Sequence, residues 1–355
     1  MPAGQKLNRN ATYVIMKIKI LTVFNVNLRL LSEYRTPLMG IAALMIILCH
    51  ANGYGVAVPH AVRSLLTLGN MGVDIFLFLS GIGCFYSLSK EPDTAKWYKK
   101  RFVRIFIPYA LMQIPFWMYK LVVGDFEFIK ELMVFSTIDF WINHVGAWYV
   151  ALLVPLYIFT PPIYFLLKDG KNRLLWAITL LLLLVIACNI DISRTSGLTN
   201  GILHNLQWAF CRVASFIIGM YIAPFVKRGV KINVLGAAFV SLALYIGVHR
   251  LISKDIFMWW CLILPMSIVF AKAIDWLKKN GNFYKFISWM GIVSLESYLA
   301  NIYLNGSIKD FVYRYGLDGY NIMQGHYFEY SCVIILGMIL SYAIHRMSVA
   351  VMPSK

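Results

Sequence analysis

Apolar residues occur along most of the chain in runs of about twenty, separated by short clusters of polar and charged residues. A run of this length suits a helix that crosses the hydrocarbon core of a bilayer, which takes about 20 residues. Backbone groups in lipid have no water to bind, so each run is predicted to be helical. The pattern predicts ten spans, the fifth and seventh being the shortest: 37–55, 68–89, 104–123, 146–167, 172–190, 207–226, 231–249, 256–275, 290–308 and 327–349.

Positive charge is unevenly distributed between the two sides of these predicted spans. With the N-terminus inside, 24 of the 33 Lys and Arg residues fall in inner segments and eight in outer loops. Cytoplasmic loops collect Lys and Arg, so both termini are predicted to be cytoplasmic. The net charge of +17 follows from this bias and from attraction to anionic lipid, so no nucleic-acid partner is expected.

The chain reads as one all-α, polytopic membrane domain at residues 37–351, since no long linker interrupts it. Residues 1–36 mix apolar residues with lysine and arginine, which predicts a cytoplasmic or interfacial helix on the inner leaflet. A natural start near Met16 is an alternative. Residues 352–355 form a short tail. The six cysteines are scattered without a C-x-x-C pair, which argues against a disulfide framework and against a metal site.

Four ionisable residues stand out well within the predicted spans, away from the span ends, where a charged side chain costs about 2.5 to 3.5 kcal/mol. They are His50, Asp74, Arg212 and Glu296. Counted from the outer ends of their spans, the first three lie at similar depth, and Trp148 lies level with them. Glu296 lies toward the inner side. Such residues usually face a cavity and serve function, so this group is the first candidate site.

His50 and Asp74 suggest acid–base chemistry. A carboxylate beside a histidine fixes the imidazole tautomer and stabilises the imidazolium, which predicts a general base that deprotonates a hydroxyl. Two structural alternatives remain open. His50 could instead bond to a backbone carbonyl one turn away, and Asp74 could form a structural ion pair with Arg212.

A second candidate site lies on the inner side, in residues 96–109. Arg101 and Arg104 are three residues apart and therefore share a helical face. Two adjacent guanidiniums suit a polyphosphate, because each can donate two hydrogen bonds. The alternative is anchoring to lipid headgroups, which such clusters commonly provide.

Six stretches of sequence have the order and spacing of a known family of membrane enzymes. In them the chain resembles the integral membrane O-acyltransferases of acyltransferase family 3, from about residue 35 onward. The stretches are GIAALMIILCH (40–50), GVDIFLFLSGI (72–82), WYKKRFVRIFIPY (97–109), AWYVALLVPLY (147–157), RVASFIIGM (212–220) and SLESYLAN (294–301).

The resemblance implies a ten-helix enzyme of the bacterial cytoplasmic membrane. It would move an acyl group, commonly acetyl, from cytoplasmic acyl-CoA to a sugar hydroxyl of a glycan or lipid-linked oligosaccharide. His50 matches the family's essential histidine, Arg101 and Arg104 its Arg-x-x-Arg pair, Trp148 its aromatic residue and Glu296 its acidic residue.

The chain departs from the family pattern at two positions. Met39 stands where the family usually has Arg or Lys, and Arg35, one turn earlier, is predicted to reach the same inner site. Asn301 stands where the family often has histidine.

The resulting hypothesis has three parts. His50, oriented by Asp74, deprotonates the acceptor, and the alkoxide attacks the thioester directly or through an acyl-enzyme; Glu296 is also expected to be catalytic. The arginines Arg35, Arg101 and Arg104 bind the acyl-CoA donor. Arg212 or Trp148 stabilises the developing oxyanion or shapes the acceptor site, and Asn301 is expected to bind the acceptor as well. The rival interpretations are a transporter or flippase, and a catalytically silent partner in a glycan assembly complex.

Overall fold

A computed structural model describes residues 24–91, 93–251 and 259–352, and most of these residues are helical. The helices are α1 Leu30–Glu33, α2 Arg35–Tyr54, α3 His60–Thr67, α4 Met71–Lys90, α5 Thr94–Val123, α6 Phe128–Phe135, α7 Ile138–Asn143, α8 Trp148–Lys168, α9 Arg173–Asn189, α10 Gly197–Phe210, α11 Val213–Arg228, α12 Val234–Leu251, α13 Ile263–Leu277, α14 Gly281–Ile292, α15 Ser294–Arg314 and α16 Tyr327–Val351. Short 3₁₀ turns at Leu68–Asn70, Trp259–Leu262 and Asn321–His326 precede α4, α13 and α16.

The predicted all-α polytopic class is confirmed. Within the described ranges, seven helical segments are long and apolar enough to cross a membrane. The fifth and seventh predicted spans correspond to α9 and α12, which are shorter apolar helices. The predicted span 290–308 covers the end of α14 and much of α15, a long but more polar helix. The predicted span 207–226 is divided into α10 and α11 on either side of Arg212.

The segment before the first span differs from the prediction. Most of the predicted interfacial helix lies outside the described residues, and in the described part residues 25–27 form a strand. This strand, β1 (Asn25–Asn27), pairs antiparallel with β2 (Lys231–Asn233). The helical prediction is wrong for β1 because its backbone groups bind a distant segment, which local hydrophobicity does not reveal.

The start and the end of helix α2 define where His50 lies along it. Pro37 lies in its first turn, where the missing N–H costs no helical hydrogen bond. Gly55 caps the other end with φ of 100°, a left-handed conformation that glycine adopts without steric cost. His50 therefore lies about one turn from the outer end of the helix.

Several helices approach one another closely at glycines. A Cβ added to Gly219 of α11 would overlap the carbonyl oxygen of Phe78 in α4, and one added to Gly81 would overlap that of Phe216. Helices α2 and α14 meet in the same way at Gly40. Small residues let backbones approach where no hydrophobic force drives helices together in lipid.

The outer surface of the bundle carries large apolar side chains. Leu183 and Ile186 on α9, and Phe239 and Val240 on α12, are each more than half exposed. An apolar surface this extensive is costly in water and suits contact with lipid.

Candidate active site

A partly open cavity of about 170 Å³ is lined by three arginines. Arg35 comes from the first turn of α2, and Arg101 and Arg104 come from successive turns of α5. The structure thus brings the predicted Arg-x-x-Arg pair and Arg35 together at one site. Three cations around one cavity favour an anionic ligand, because their mutual repulsion falls when it binds.

The inner half of α4 orients two of these arginines. Arg101 donates to the hydroxyl of Ser87 at 2.6 Å and to the carbonyl of Gly83 at 3.3 Å. Its guanidinium also lies 5.5 Å from the ring of Trp97. Arg35 donates to the carbonyl of Leu79 at 3.4 Å. Fixed guanidiniums lose less conformational entropy on binding a ligand than free ones.

Arg35 and Met39 both line the cavity, one helical turn apart on α2. A Cβ at Gly83 would lie 3.0 Å from the Arg35 guanidinium, so the missing side chain leaves room for it. Arg35 therefore supplies a cation to this cavity wall. The expected family pattern has its cation one turn further along, at the position of Met39.

Glu296 lines this cavity as well, together with His345 of α16. The Nδ1 atom of His345 lies 2.9 Å from Oε1 of Glu296, whose side chain is buried. The predicted inner position of Glu296 agrees with this placement. His345 was missed because it lies near a span end, although its depth matches that of Glu296.

The expected hydrogen bond between Asp74 and His50 is not formed. Asp74 accepts from Arg212 at 2.8 Å and from the hydroxyl of Ser215 at 2.7 Å. Arg212 lies at the break between α10 and α11 and also donates to Asn70. The structural ion pair is therefore the observed arrangement. The orienting role was wrong because Asp74 is directed toward α11, and its charge is balanced there.

His50 is hydrogen-bonded to Asn301 of α15 instead. Its Nδ1 lies 2.5 Å from Oδ1 of Asn301, and the amide nitrogen of Asn301 donates to the hydroxyl of Tyr330 at 3.4 Å. Both ends of the Asn301 amide are therefore engaged within the protein, and its predicted acceptor-binding role stays a prediction. Tyr330, which sequence reasoning missed, also donates to the carbonyl of Ile47.

Trp148 belongs to a cluster of aromatic rings at the start of α8. The Arg212 guanidinium lies 5.7 Å from the Trp148 ring, and Trp208 packs edge-on against the same ring at 4.5 Å. His144 packs against Trp208 at 4.9 Å. The cluster adjoins the cavity through Tyr149, which lines the cavity and contacts Trp148.

In the described part of the chain, no group of three or more His, Cys, Asp and Glu side chains is placed to hold a metal ion. The six cysteines, all within the described ranges, are free thiols.

The fold and the cavity define a multi-pass helical membrane protein with a cationic site inside its bundle. A family model described as "acyltransferase domain" matches residues 38–346. The chain belongs to this family, which confirms its resemblance to acyltransferase family 3, and its class is that of the membrane acyltransferases. No curated protein and no solved structure matches the chain.

Proposed function

We propose that this protein transfers an acyl group, expected to be acetyl, from acyl-CoA to a sugar hydroxyl of a surface or extracellular polysaccharide. The membrane is expected to be the bacterial cytoplasmic membrane. The arginine-lined cavity carries the proposal. Its wall includes Ile46, and His50, which does not itself line the cavity, lies one helical turn further along α2.

The donor would enter from the cytoplasmic side. Arg35, Arg101 and Arg104 would bind the phosphates of CoA, since guanidiniums donate paired hydrogen bonds to phosphate oxygens. Fifteen residues separate Arg35 from His50, which is roughly 22 Å at the rise of an α-helix. An extended pantetheine arm would cross this distance and bring the thioester toward His50.

His50 would act as the general base. Its free ring nitrogen takes the proton of the acceptor hydroxyl as the oxygen attacks the thioester carbonyl. The C–O bond of the ester forms, the C–S bond breaks, and the leaving thiolate takes the proton back from the imidazolium. One acyl group is transferred, and free CoA is released with its thiol protonated.

The acceptor would bind near Trp148. The rings of Trp148 and Trp208 are partly exposed, and their apolar faces suit the C–H faces of a sugar ring. The Arg212 guanidinium, held by Asp74, would keep the Trp148 ring in place.

The test is to measure base-labile ester on the surface glycan by proton NMR in strains with and without the gene. The deletion strain is complemented with the natural gene, with His50→Ala, or with His204→Ala, at matched membrane abundance. His204 is an exposed histidine on α10 and serves as the control.

We expect ester in the natural and His204→Ala strains and none in the deletion or His50→Ala strains. Ester that persists with His50→Ala would contradict the role of His50. An unchanged glycan in the deletion strain would contradict this acceptor class, and solute accumulation by the purified protein in vesicles would favour a transporter.

A further inference from the structure

A series of hydrogen bonds that starts at the His50 ring returns to the backbone of the same helix. The His50 ring contacts Asn301 of α15, Asn301 contacts Tyr330 of α16, and Tyr330 contacts the carbonyl of Ile47 on α2. Asn301 and Tyr330 are both buried. Buried polar groups of this kind are hydrogen-bonded in stable proteins, so each bond constrains the next.

The direction of every bond in the series follows from the groups involved. The carbonyl of Ile47 can only accept, so the single phenolic proton of Tyr330 is directed toward it. The Tyr330 oxygen then accepts from the amide nitrogen of Asn301. The Asn301 carbonyl is left facing Nδ1 of His50, and because a carbonyl only accepts, Nδ1 must carry a proton.

We propose that Tyr330 and Asn301 are positioning residues that fix the tautomer of His50, with the proton on Nδ1 and the lone pair on Nε2. The proposal rests on the proposed function, in which His50 is the base. A neutral imidazole with Nδ1 protonated presents Nε2 as its basic atom. The imidazolium also carries a proton on Nδ1, so the series stays intact while Nε2 takes a proton and returns it.

The hydroxyl of Tyr330 determines which of its two orientations the Asn301 amide adopts. With the amide turned over, its oxygen would need the Tyr330 proton, and the carbonyl of Ile47 would lose it. Its NH₂ group would then face Nδ1 of His50, moving the proton of the neutral ring to Nε2. Removing only the Tyr330 hydroxyl therefore allows both tautomers.

The first test measures the tautomer of His50 in the absence of substrate. The full chain, labelled with ¹⁵N-histidine, is placed in lipid nanodiscs, and the His50 signals are identified by their loss in His50→Gln. We expect a protonated Nδ1 and a bare Nε2 in the natural protein, and a mixture of both tautomers in Tyr330→Phe. A protonated Nε2 with a bare Nδ1 in the natural protein overturns the proposal.

The second test measures how loss of the Tyr330 hydroxyl affects acyl transfer. We expect Tyr330→Phe to lower kcat about tenfold with the KM for acetyl-CoA unchanged, because only part of a general base's contribution is lost. Tyr342→Phe is the matched control, since Tyr342 lies on the same helix and is half exposed. An unchanged kcat in Tyr330→Phe, or an equal loss in Tyr342→Phe, contradicts the proposal.

A rescue variant separates tautomer control from structural damage. A carboxylate at position 301 presents only acceptors, so it keeps Nδ1 protonated whether or not the Tyr330 hydroxyl is present. Adding Asn301→Asp to Tyr330→Phe should restore the single tautomer of His50 and raise kcat. If neither the tautomer nor kcat recovers, the proposal is contradicted. The predicted tautomer in a protein that transfers no acyl group would support this inference and contradict the proposed function alone.

Discussion

The carboxylate of Asp74 lies 2.8 Å from the guanidinium of Arg212, and neither side chain has surface open to solvent. The pair joins α4 to the start of α11, about two helical turns from Gly81 and Gly219, at which these helices meet. Ser215 adds a hydrogen bond to the same carboxylate. A buried ion pair of this kind leaves an uncompensated charge when one partner is removed.

Removing one partner should therefore destabilise the protein more than removing both. Arg212→Met leaves the Asp74 carboxylate buried and should cost about 3 to 5 kcal/mol. The double variant Asp74→Leu/Arg212→Met should cost less than either single variant. Thermal unfolding of purified protein in detergent measures these differences. Additive losses in the double variant would contradict a coupled pair.

The two cavity arginines of α5 should control donor affinity. Arg101→Ala or Arg104→Ala should raise the KM for acyl-CoA about tenfold to a hundredfold, because a hydrogen bond to a charged group contributes about 1.5 to 3 kcal/mol. Lys100→Ala is the control, since the Lys100 ammonium pairs with Glu91 at 2.8 Å and is largely exposed. A similar rise in KM for Lys100→Ala would indicate general charge attraction instead of a defined site.

Position 39 offers a test by gain of function. Met39→Arg places a fourth guanidinium on the cavity wall, one turn above Arg35. If the cavity binds the phosphates of the donor, the KM for acyl-CoA should fall several-fold. Met39→Leu retains an apolar side chain of similar volume and should leave the KM unchanged. Weaker donor binding in Met39→Arg would show that the phosphates of acyl-CoA bind outside this cavity.

The close approach of α4 and α11 should make Gly219 intolerant of a side chain. Gly219→Ala forces its Cβ against the carbonyl of Phe78 and should cost about 1 to 3 kcal/mol, as overpacked sites do. Gly247→Ala on α12 is the matched control, because its added Cβ would meet nothing within 4 Å. Equal thermal stability of the two variants would show that the helices can separate without cost.

The helices and their membrane setting could be predicted because each apolar run determines its own structure. The meeting of Arg35 with Arg101 and Arg104 also followed from sequence, since all three lie at the inner ends of their helices. Counting residues along a span gives the depth of a side chain along the membrane normal. Depth is one coordinate of a side chain in a bundle, and its direction around the helix is another.

The partners of His50 and Asp74 could not be predicted, because they depend on the direction of each side chain around its helix. His50 and Asp74 have similar depth, yet Asp74 is directed to Arg212 and His50 to Asn301. Helix order and rotation depend on packing between distant parts of the chain. The strand β1 was missed for the same reason.

The contact between His50 and Asn301 joins residues 251 positions apart. Spans enter the bilayer in order during synthesis, so the first span is in place long before α15 and α16 are made. Until then His50 has neither the Asn301 carbonyl nor the Tyr330 hydroxyl behind it. The nascent chain thus carries its proposed base in the membrane without the groups that orient it. In the proposed mechanism, competence for acyl transfer therefore arrives only with insertion of the last helices.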